Sequence, residues 1–494
     1  MAEAGHVWPW RHEPFEYGMT LVKRIGIATA RITLSNGLVR LLSLISMPIL
    51  TRLLSTSAYG EAAMAVTVIS LVSVIALAGM DVSYMRAYFS SNFYEREAVE
   101  YFSWRFTVFV GIIASACVVV SWPWFAARVA LPRYLGWLVA AGTLFAILST
   151  MAQTRARLND RYGGMSIAIV VSGVVSALAS ITIAFLWRRD AMALLLPAIV
   201  GYAIPVIILG TPTLSRLWKG SGLTKSTRTN IILIGLAGIV TAPAYWVISS
   251  SDRWFIGYFD SVASAGIYSV ASSVAIMGTM VNTAVLAVWT PEVMRAYDSD
   301  PEHAHVHLGQ IAEWVVAGLA CVWMAVTAAG GDIIRLLAAP AFHPAAGLVP
   351  YIAAGVFFNG LIHLANASLL VKKRLTWGMW WWIVGSVSCI GLNFLLVPAW
   401  GILGAAVTQA ISFAVIAGGV AIGARRTFPL ALNARRIIVL LAGVLVAGIA
   451  MSIPWWTTPI KSLLMKLPAG VIVAFIVMRL GVRGARSMCP LEVK

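Results

Sequence analysis

The sequence predicts an all-α polytopic membrane protein of about fourteen transmembrane helices. Three observations predict it: a strongly apolar composition, apolar runs near twenty residues recurring from end to end, and basic residues gathered in the short segments between the runs. The 494 residues are 60% hydrophobic and 11% charged, with a mean hydropathy of +0.86. Soluble domains hold roughly 45–50% apolar and about 25% charged residues, so the chain departs in both directions. A run of about twenty apolar residues crosses a hydrocarbon core of roughly 30 Å. No stretch between the runs has the length of a soluble catalytic domain.

The runs place spans at roughly 26–53, 61–80, 104–126, 134–152, 165–187, 191–212, 231–251, 265–290, 310–330, 345–371, 377–398, 401–423, 436–454 and 460–479. Lys461, Lys466 and Pro468 interrupt the last, which therefore starts late on this reading. The chain divides into a tail (1–25), a first six-helix lobe (26–212), a linker (213–230), a second six-helix lobe (231–423), two further helices (436–479) and a closing tail (480–494). Met1 to Tyr17 is polar and aromatic, without the apolar core of a cleavable signal. Met19, followed by Lys23 and Arg24, is an equally good start, which makes the first eighteen residues a dispensable tail.

Orientation follows from Lys and Arg. With the amino terminus in the cytoplasm, the cytoplasmic segments hold Lys23, Arg24, Arg86, Arg96, Arg105, Arg155, Arg157, Arg161, Arg216, Lys219, Lys225, Arg228, the clusters Lys372-Lys373-Arg374 and Arg425-Arg426, Arg435, Arg436, Arg479, Arg483 and Arg486. The other side holds Arg52, Arg128, Arg133, Arg188, Arg189, Arg253, Arg335, Lys461 and Lys466. The bias exceeds two to one and puts both termini inside a bacterial inner membrane. The net charge of +17 belongs to these loops and not to a nucleic-acid surface. The four cysteines, Cys117, Cys321, Cys389 and Cys489, have the spacing of neither a disulfide framework nor a zinc site.

An internal repeat is visible. Met85-Arg86-Ala87-Tyr88 follows the second span and Met294-Arg295-Ala296-Tyr297 follows the eighth. Arg52 and Ala58-Tyr59-Gly60 precede the first copy; Arg253 and Ser264-Ala265-Gly266 precede the second. An even number of spans separates the copies, so they are parallel repeats with a site expected between two lobes. Arg52, Asp252, Arg253, Arg86 and Arg295 are the candidate gating or interface residues.

Buried charge in a membrane is costly, so its position is informative. None of the nineteen Asp and Glu falls near the centre of a predicted span; Asp81, Asp252 and Glu313 sit at span ends and Asp332 in a loop. Arg40, in contrast, lies near the midpoint of the first span. Thr33, Asn36, Arg40 and Ser43 are spaced as one helical stripe, whereas Arg31 is about half a turn out of phase and reaches the interface. A second stripe, Asn359, His363 and Asn366, lies on the tenth span. The functional reading is a polar cavity with Arg40 as fixed positive charge; the alternative is that a neighbouring backbone carbonyl or a helix-end carboxylate satisfies Arg40. The Asn359 stripe serves equally well for helix–helix hydrogen bonding.

Asp298-Ser299-Asp300 with His303, His305 and His307 resembles a metal motif, but Asp300-Pro301-Glu302 is a good helix start and a solvated loop is expected, with no metal. There is no P-loop, hence no encoded ATPase, and no cofactor is expected. Trp380-Trp381-Trp382 and Trp455-Trp456 read as interface anchors.

Two stretches are more specific. Arg40-Leu41-Leu42-Ser43-Leu44-Ile45-Ser46-Met47-Pro48-Ile49-Leu50-Thr51-Arg52-Leu53-Leu54-Ser55, then Ala58-Tyr59-Gly60, resembles the opening of polysaccharide (O-antigen, Wzx-type) flippases. Ser251-Asp252-Arg253-Trp254-Phe255-Ile256-Gly257-Tyr258-Phe259, then Ala265-Gly266-Ile267-Tyr268-Ser269, is similar to the start of their second lobe. That family lies within the multidrug/oligosaccharidyl-lipid/polysaccharide exporter superfamily. The resemblance implies two rocking lobes and a polyprenyl-pyrophosphate-linked oligosaccharide as substrate, moved to the periplasmic leaflet for cell-surface polysaccharide such as O-antigen or exopolysaccharide. It also implies partners in membrane lipid and in polymerase and chain-length proteins. A guanidinium such as that of Arg40 suits the pyrophosphate. The alternatives are a cation-coupled small-molecule exporter, for which a membrane-embedded acid is expected, and a lipid II flippase, for which the two extra helices leave room.

Overall fold

The computed structural model describes residues 16–91, 93–212, 222–238, 241–300, 303–372 and 374–486, and among these every regular element is helical. The expected tail up to residue 15, most of the expected linker, Glu302, Lys373 and Cys489 lie outside the described residues. Among the described residues twelve helices are long and apolar enough to cross a membrane. Val120, Leu186 and Ile207 are 81%, 76% and 78% exposed, a pattern that suits hydrocarbon and not water.

Helix α1 (Glu16–Leu53) begins ahead of its apolar run. Helix α2 (Thr56–Leu77) starts at the cap Ser55, whose hydroxyl accepts the amide of Ala58 at 3.1 Å. It breaks at Ala78 and Gly79, both at positive φ, before α3 (Met80–Ser90). Then follow α4 (Phe93–Arg128), α5 (Leu135–Leu158), α6 (Tyr162–Leu186) and α7 (Met192–Leu209).

The second half runs through α8 (Lys225–Gly238), α9 (Thr241–Ser250), α10 (Asp252–Phe259), α11 (Val262–Ala275), a single 3-10 turn at Ile276–Gly278, α12 (Thr279–Ser299), α13 (Ala304–Leu337), a 3-10 stretch (Pro340–Leu348), α14 (Val349–Val371) and α15 (Leu375–Thr427). Helices α16 (Ala434–Ser452) and α17 (Pro459–Arg486) pack on α13. The α15 stretch is two helices that meet at a kink at Gly401, whose φ of 56° and ψ of −134° suit only glycine. Dividing it there, and taking α8 with α9 as one crossing, accounts for the fourteen expected segments.

The structure corrects several details. Asp332 is not in a loop but inside α13, 1% exposed, and Lys466 is not a breaker but lies 4% exposed inside α17. Lys466 Nζ stands 2.7 Å from Asp332 Oδ2, Ser462 donates to the same oxygen at 2.8 Å, and Arg335 stands 3.3 Å from Oδ1. Each charge makes the other tolerable in an apolar helix pair, which is why the last helix does not start late. Trp382 is 8% exposed and belongs to the core, while Trp380 is 66% exposed. The two repeat tyrosines each carry a cation: Arg96 lies 5.2 Å from the Tyr88 ring, and Lys372 donates to the Tyr297 hydroxyl at 2.8 Å.

Candidate functional site

A cavity of about 970 Å³ opens among α1, α5, α6 and α7, with Ser273 of α11 as its contribution from the second half. Helical periodicity builds its wall. Ser149, Gln153 and Arg157 share a face of α5 at intervals of four, and Ser172, Ser176 and Ser180 do the same on α6. Asn36, Ser43 and Ser46 line it from α1. Most of these hydroxyls donate within the protein: Ser43 to Val39 O at 3.2 Å, Ser172 to Ala168 O at 2.7 Å and Ser176 to Pro197 O at 2.9 Å. Their oxygens remain acceptors for hydroxyl groups of a guest.

Among the lining residues Arg157 bears the formal charge, and no carboxylate is present. Three arginines stand at this corner, and two are engaged elsewhere. Arg155 is 2.6 Å from Glu100, and Arg161 donates to Leu209 O at 3.3 Å. The Nε of Arg157 is buried and makes no hydrogen bond within the protein. A buried guanidinium N–H without an acceptor is costly, and this one belongs to a residue of the cavity wall.

At the end where α1 passes to α2 the cavity is lined by Leu50 and Tyr59. There the two resemblance motifs meet. A Cβ on Gly60 would lie 1.8 Å from Val262 O, and one on Gly266 would lie 2.0 Å from Thr56 O. Each glycine thus faces the carbonyl four residues before the other, and only glycine permits so close an approach of two backbones. Arg52 Nη1 reaches Pro48 O at 2.6 Å and, in the second half, Leu337 O at 3.1 Å. The Ala339 amide donates to Thr51 Oγ1 at 3.1 Å, and Tyr59 stacks edge-on against Phe342 at 5.6 Å. Arg52 therefore hydrogen-bonds to backbone carbonyls of both halves.

The other sequence candidates are dispersed. Arg40 shares the α1 stripe, but its Nη1 donates at 2.7 Å to Ile276 O, at the turn that interrupts α11 and α12. That carbonyl also accepts from the amide of Thr279 and, at 2.7 Å, from its hydroxyl, so Arg40 adds a further donor from the first half. Arg31 is exposed. Asn359 is 7% exposed with an unpartnered Nδ2, and His363 and Asn366 are half-buried; none of the three lines this cavity. Arg86 is exposed, and Arg295 pairs with Glu292 at 3.5 Å on its own helix. Among the described residues no cluster of His, Cys, Asp or Glu could hold a metal; His303 instead contacts Asp300 at 3.0 Å.

The expectation that no carboxylate is embedded is wrong. Besides Asp332, Asp252 has no solvent exposure. Tyr268 donates to Asp252 Oδ2 at 2.6 Å and Asn393 to Oδ1 at 3.3 Å, while Arg253 donates to Ser269 at 3.0 Å. Asp252 sits at the edge of its apolar run, but Tyr268 on α11 and Asn393 on α15 fold over it. Hydropathy does not register that tertiary cover.

The profile of a family described as polysaccharide biosynthesis protein matches residues 49–329. No curated protein sequence matches the chain. Among solved structures it is similar to a lipid II flippase, MurJ, in an inward closed conformation, with a TM-score of 0.66 and 13% identity over 93% of this chain and 99% of that one. It is also similar to an inward-facing multidrug resistance MATE family transporter of the MOP superfamily, with a TM-score of 0.55 and 13% identity, covering 81% and 97%. The eukaryotic MATE transporter AtDTX14 gives 0.54 at 14% identity, covering 88% and 98%. At these identities the likeness is one of fold.

Proposed function

The chain belongs to the family of polysaccharide biosynthesis proteins, and from that premise we propose that it is a flippase. It moves a polyprenyl-pyrophosphate-linked oligosaccharide from the cytoplasmic to the periplasmic leaflet of a bacterial inner membrane, feeding a surface polysaccharide. The observation that carries this reading is the cavity: large, rich in serine, with Arg157 as its formal charge and no acid. Serine oxygens suit sugar hydroxyls, and a guanidinium forms paired hydrogen bonds to phosphate oxygens. An acid-free wall disfavours a cationic guest.

On this reading residues 26–212 and 231–423 are the two lobes, and 436–479 are accessory helices clamped to the second by Lys466 and Asp332. The basic loops put both termini in the cytoplasm and the seal of Arg52, Gly60 and Gly266 on the periplasmic side. The lobes rock about this seal, so that the cavity faces each leaflet in turn. Arg157 holds the pyrophosphate, and Asn36 and Ser43 touch the sugar. Arg40, bonded to Ile276 O, links the lobes and breaks that bond as they part. Replacing Arg157 with Ala abolishes surface-glycan production while insertion persists; unchanged production would refute the role.

The buried Asp252 favours a second reading, a cation-coupled exporter of the same fold. That reading requires efflux of a cationic dye, lost in Asp252→Asn. The flippase reading expects no such efflux in the native protein.

A further inference from the structure

Sharing no lining residue with the serine-lined cavity, a groove of about 340 Å³ crosses the boundary between the two halves. One wall is the end of α4, with Trp124, Phe125 and Arg128; the other is α10, with Trp254 and Tyr258, and Phe394 of α15 closes it. The walls are fixed. Trp254 donates its Nε1 to Thr67 Oγ1 at 2.9 Å, and Phe255 and Phe394 stack edge-on at 5.1 Å. The mouth is open: Trp124, Tyr258 and Phe394 are 58%, 57% and 56% exposed. Arg128 lies 4.3 Å from the Trp124 ring, and no carboxylate lines the groove; the nearby Asp260 lies instead against Gly401.

We propose that this groove seats an acyl chain of an anionic phospholipid whose phosphate meets Arg128, and that this lipid ties the two halves together. Three features point to that occupant. The groove is almost wholly apolar and aromatic, which suits a hydrocarbon chain and not a sugar. Its charge is a single guanidinium at the last turn of a membrane helix, beside tryptophan and tyrosine, where lipid phosphates lie. Its walls come from both halves, so a chain in place favours the arrangement in which α4 and α10 stand together. The lipid then stabilises the sealed state, independently of what the cavity carries.

The test uses the full-length protein in nanodiscs holding a trace of photoreactive lipid with a diazirine on one acyl chain. Phosphatidylglycerol, phosphatidylethanolamine and polyprenyl phosphate are compared, and labelled peptides are mapped by mass spectrometry. The expected result is labelling of 124–129 and 254–259 by phosphatidylglycerol with about fivefold preference over phosphatidylethanolamine, the size one basic side chain near a membrane surface supports. Arg128→Gln brings that ratio to about one, and Arg128→Lys keeps most of it. Equal labelling by the two phospholipids in the native protein overturns the proposal without recourse to a variant. So does labelling by polyprenyl phosphate alone, which makes the groove a site for the carrier chain.

Discussion

The seal rests on two glycines in backbone contact, and Gly60→Ala tests it most sharply. The added Cβ would lie 1.8 Å from Val262 O and 2.8 Å from Val262 C, where ordinary contact begins at 3.4 Å. Both atoms belong to a helix backbone, so no side-chain rotation gives relief and α2 and α11 must part by about 1.6 Å. Overpacking of this kind costs about 1–3 kcal/mol. The same movement stretches the 3.1 Å bonds of Arg52 to Leu337 O and of Ala339 to Thr51 beyond hydrogen-bonding range, and each is worth about 0.5–1.5 kcal/mol. Together the sealed state loses about 2–6 kcal/mol, which shifts the sealed-to-open ratio by a factor of roughly 30 or more. Leu50, 4% exposed, lines the cavity beneath the seal. In a cysteine-free chain carrying Leu50→Cys, an impermeant maleimide added to intact cells reports opening. Gly60→Ala speeds labelling by at least tenfold, while Gly318→Ala, whose Cβ meets nothing within 4 Å, leaves it unchanged. An unchanged rate in Gly60→Ala refutes the argument that this contact closes the cavity.

Arg157→Ala lowers translocation of a pyrophosphate-linked glycan at least tenfold and Arg157→Lys less, because lysine keeps the charge and loses the fork; flux in proteoliposomes measures both. Lys466→Ala leaves Asp332 buried with weaker partners and costs about 3–5 kcal/mol, seen as a lower unfolding midpoint in detergent, and the double change Lys466→Met with Asp332→Leu recovers most of it. Tyr268→Phe removes the 2.6 Å bond to Asp252 and lowers stability by about 1–3 kcal/mol in the same unfolding assay.

The spans were legible because a membrane helix declares itself by the length of its apolar run, and the turn at Gly401 fell at an expected boundary. The seal was legible in part. Arg52, Gly60 and Gly266 stood in the repeated motifs, but that the motifs touch is a fact of packing. The cavity was half-read: Asn36 and Ser43 were found through their stripe with Arg40. The serines of α6, spaced by four, carried the same signal and passed unread. Arg157 reads as any basic residue of a loop, because its place on the cavity wall follows from the packing of α5 beside α6 and α7. The bond of Arg40 to Ile276 O, 236 residues away, leaves no mark in the sequence. Asp332 and Lys466 are misplaced by hydropathy, and the burial of Asp252 at its helix end goes unread, because hydropathy weighs neighbours in sequence, whereas Asn393 and Lys466 cover these acids from more than a hundred residues away.

The most direct measurement is translocation of a polyprenyl-pyrophosphate oligosaccharide by the purified protein alone in proteoliposomes. The account predicts transfer above protein-free vesicles, lost in Arg157→Ala and retained in Gly318→Ala. No transfer by folded protein under an imposed ion gradient would contradict it.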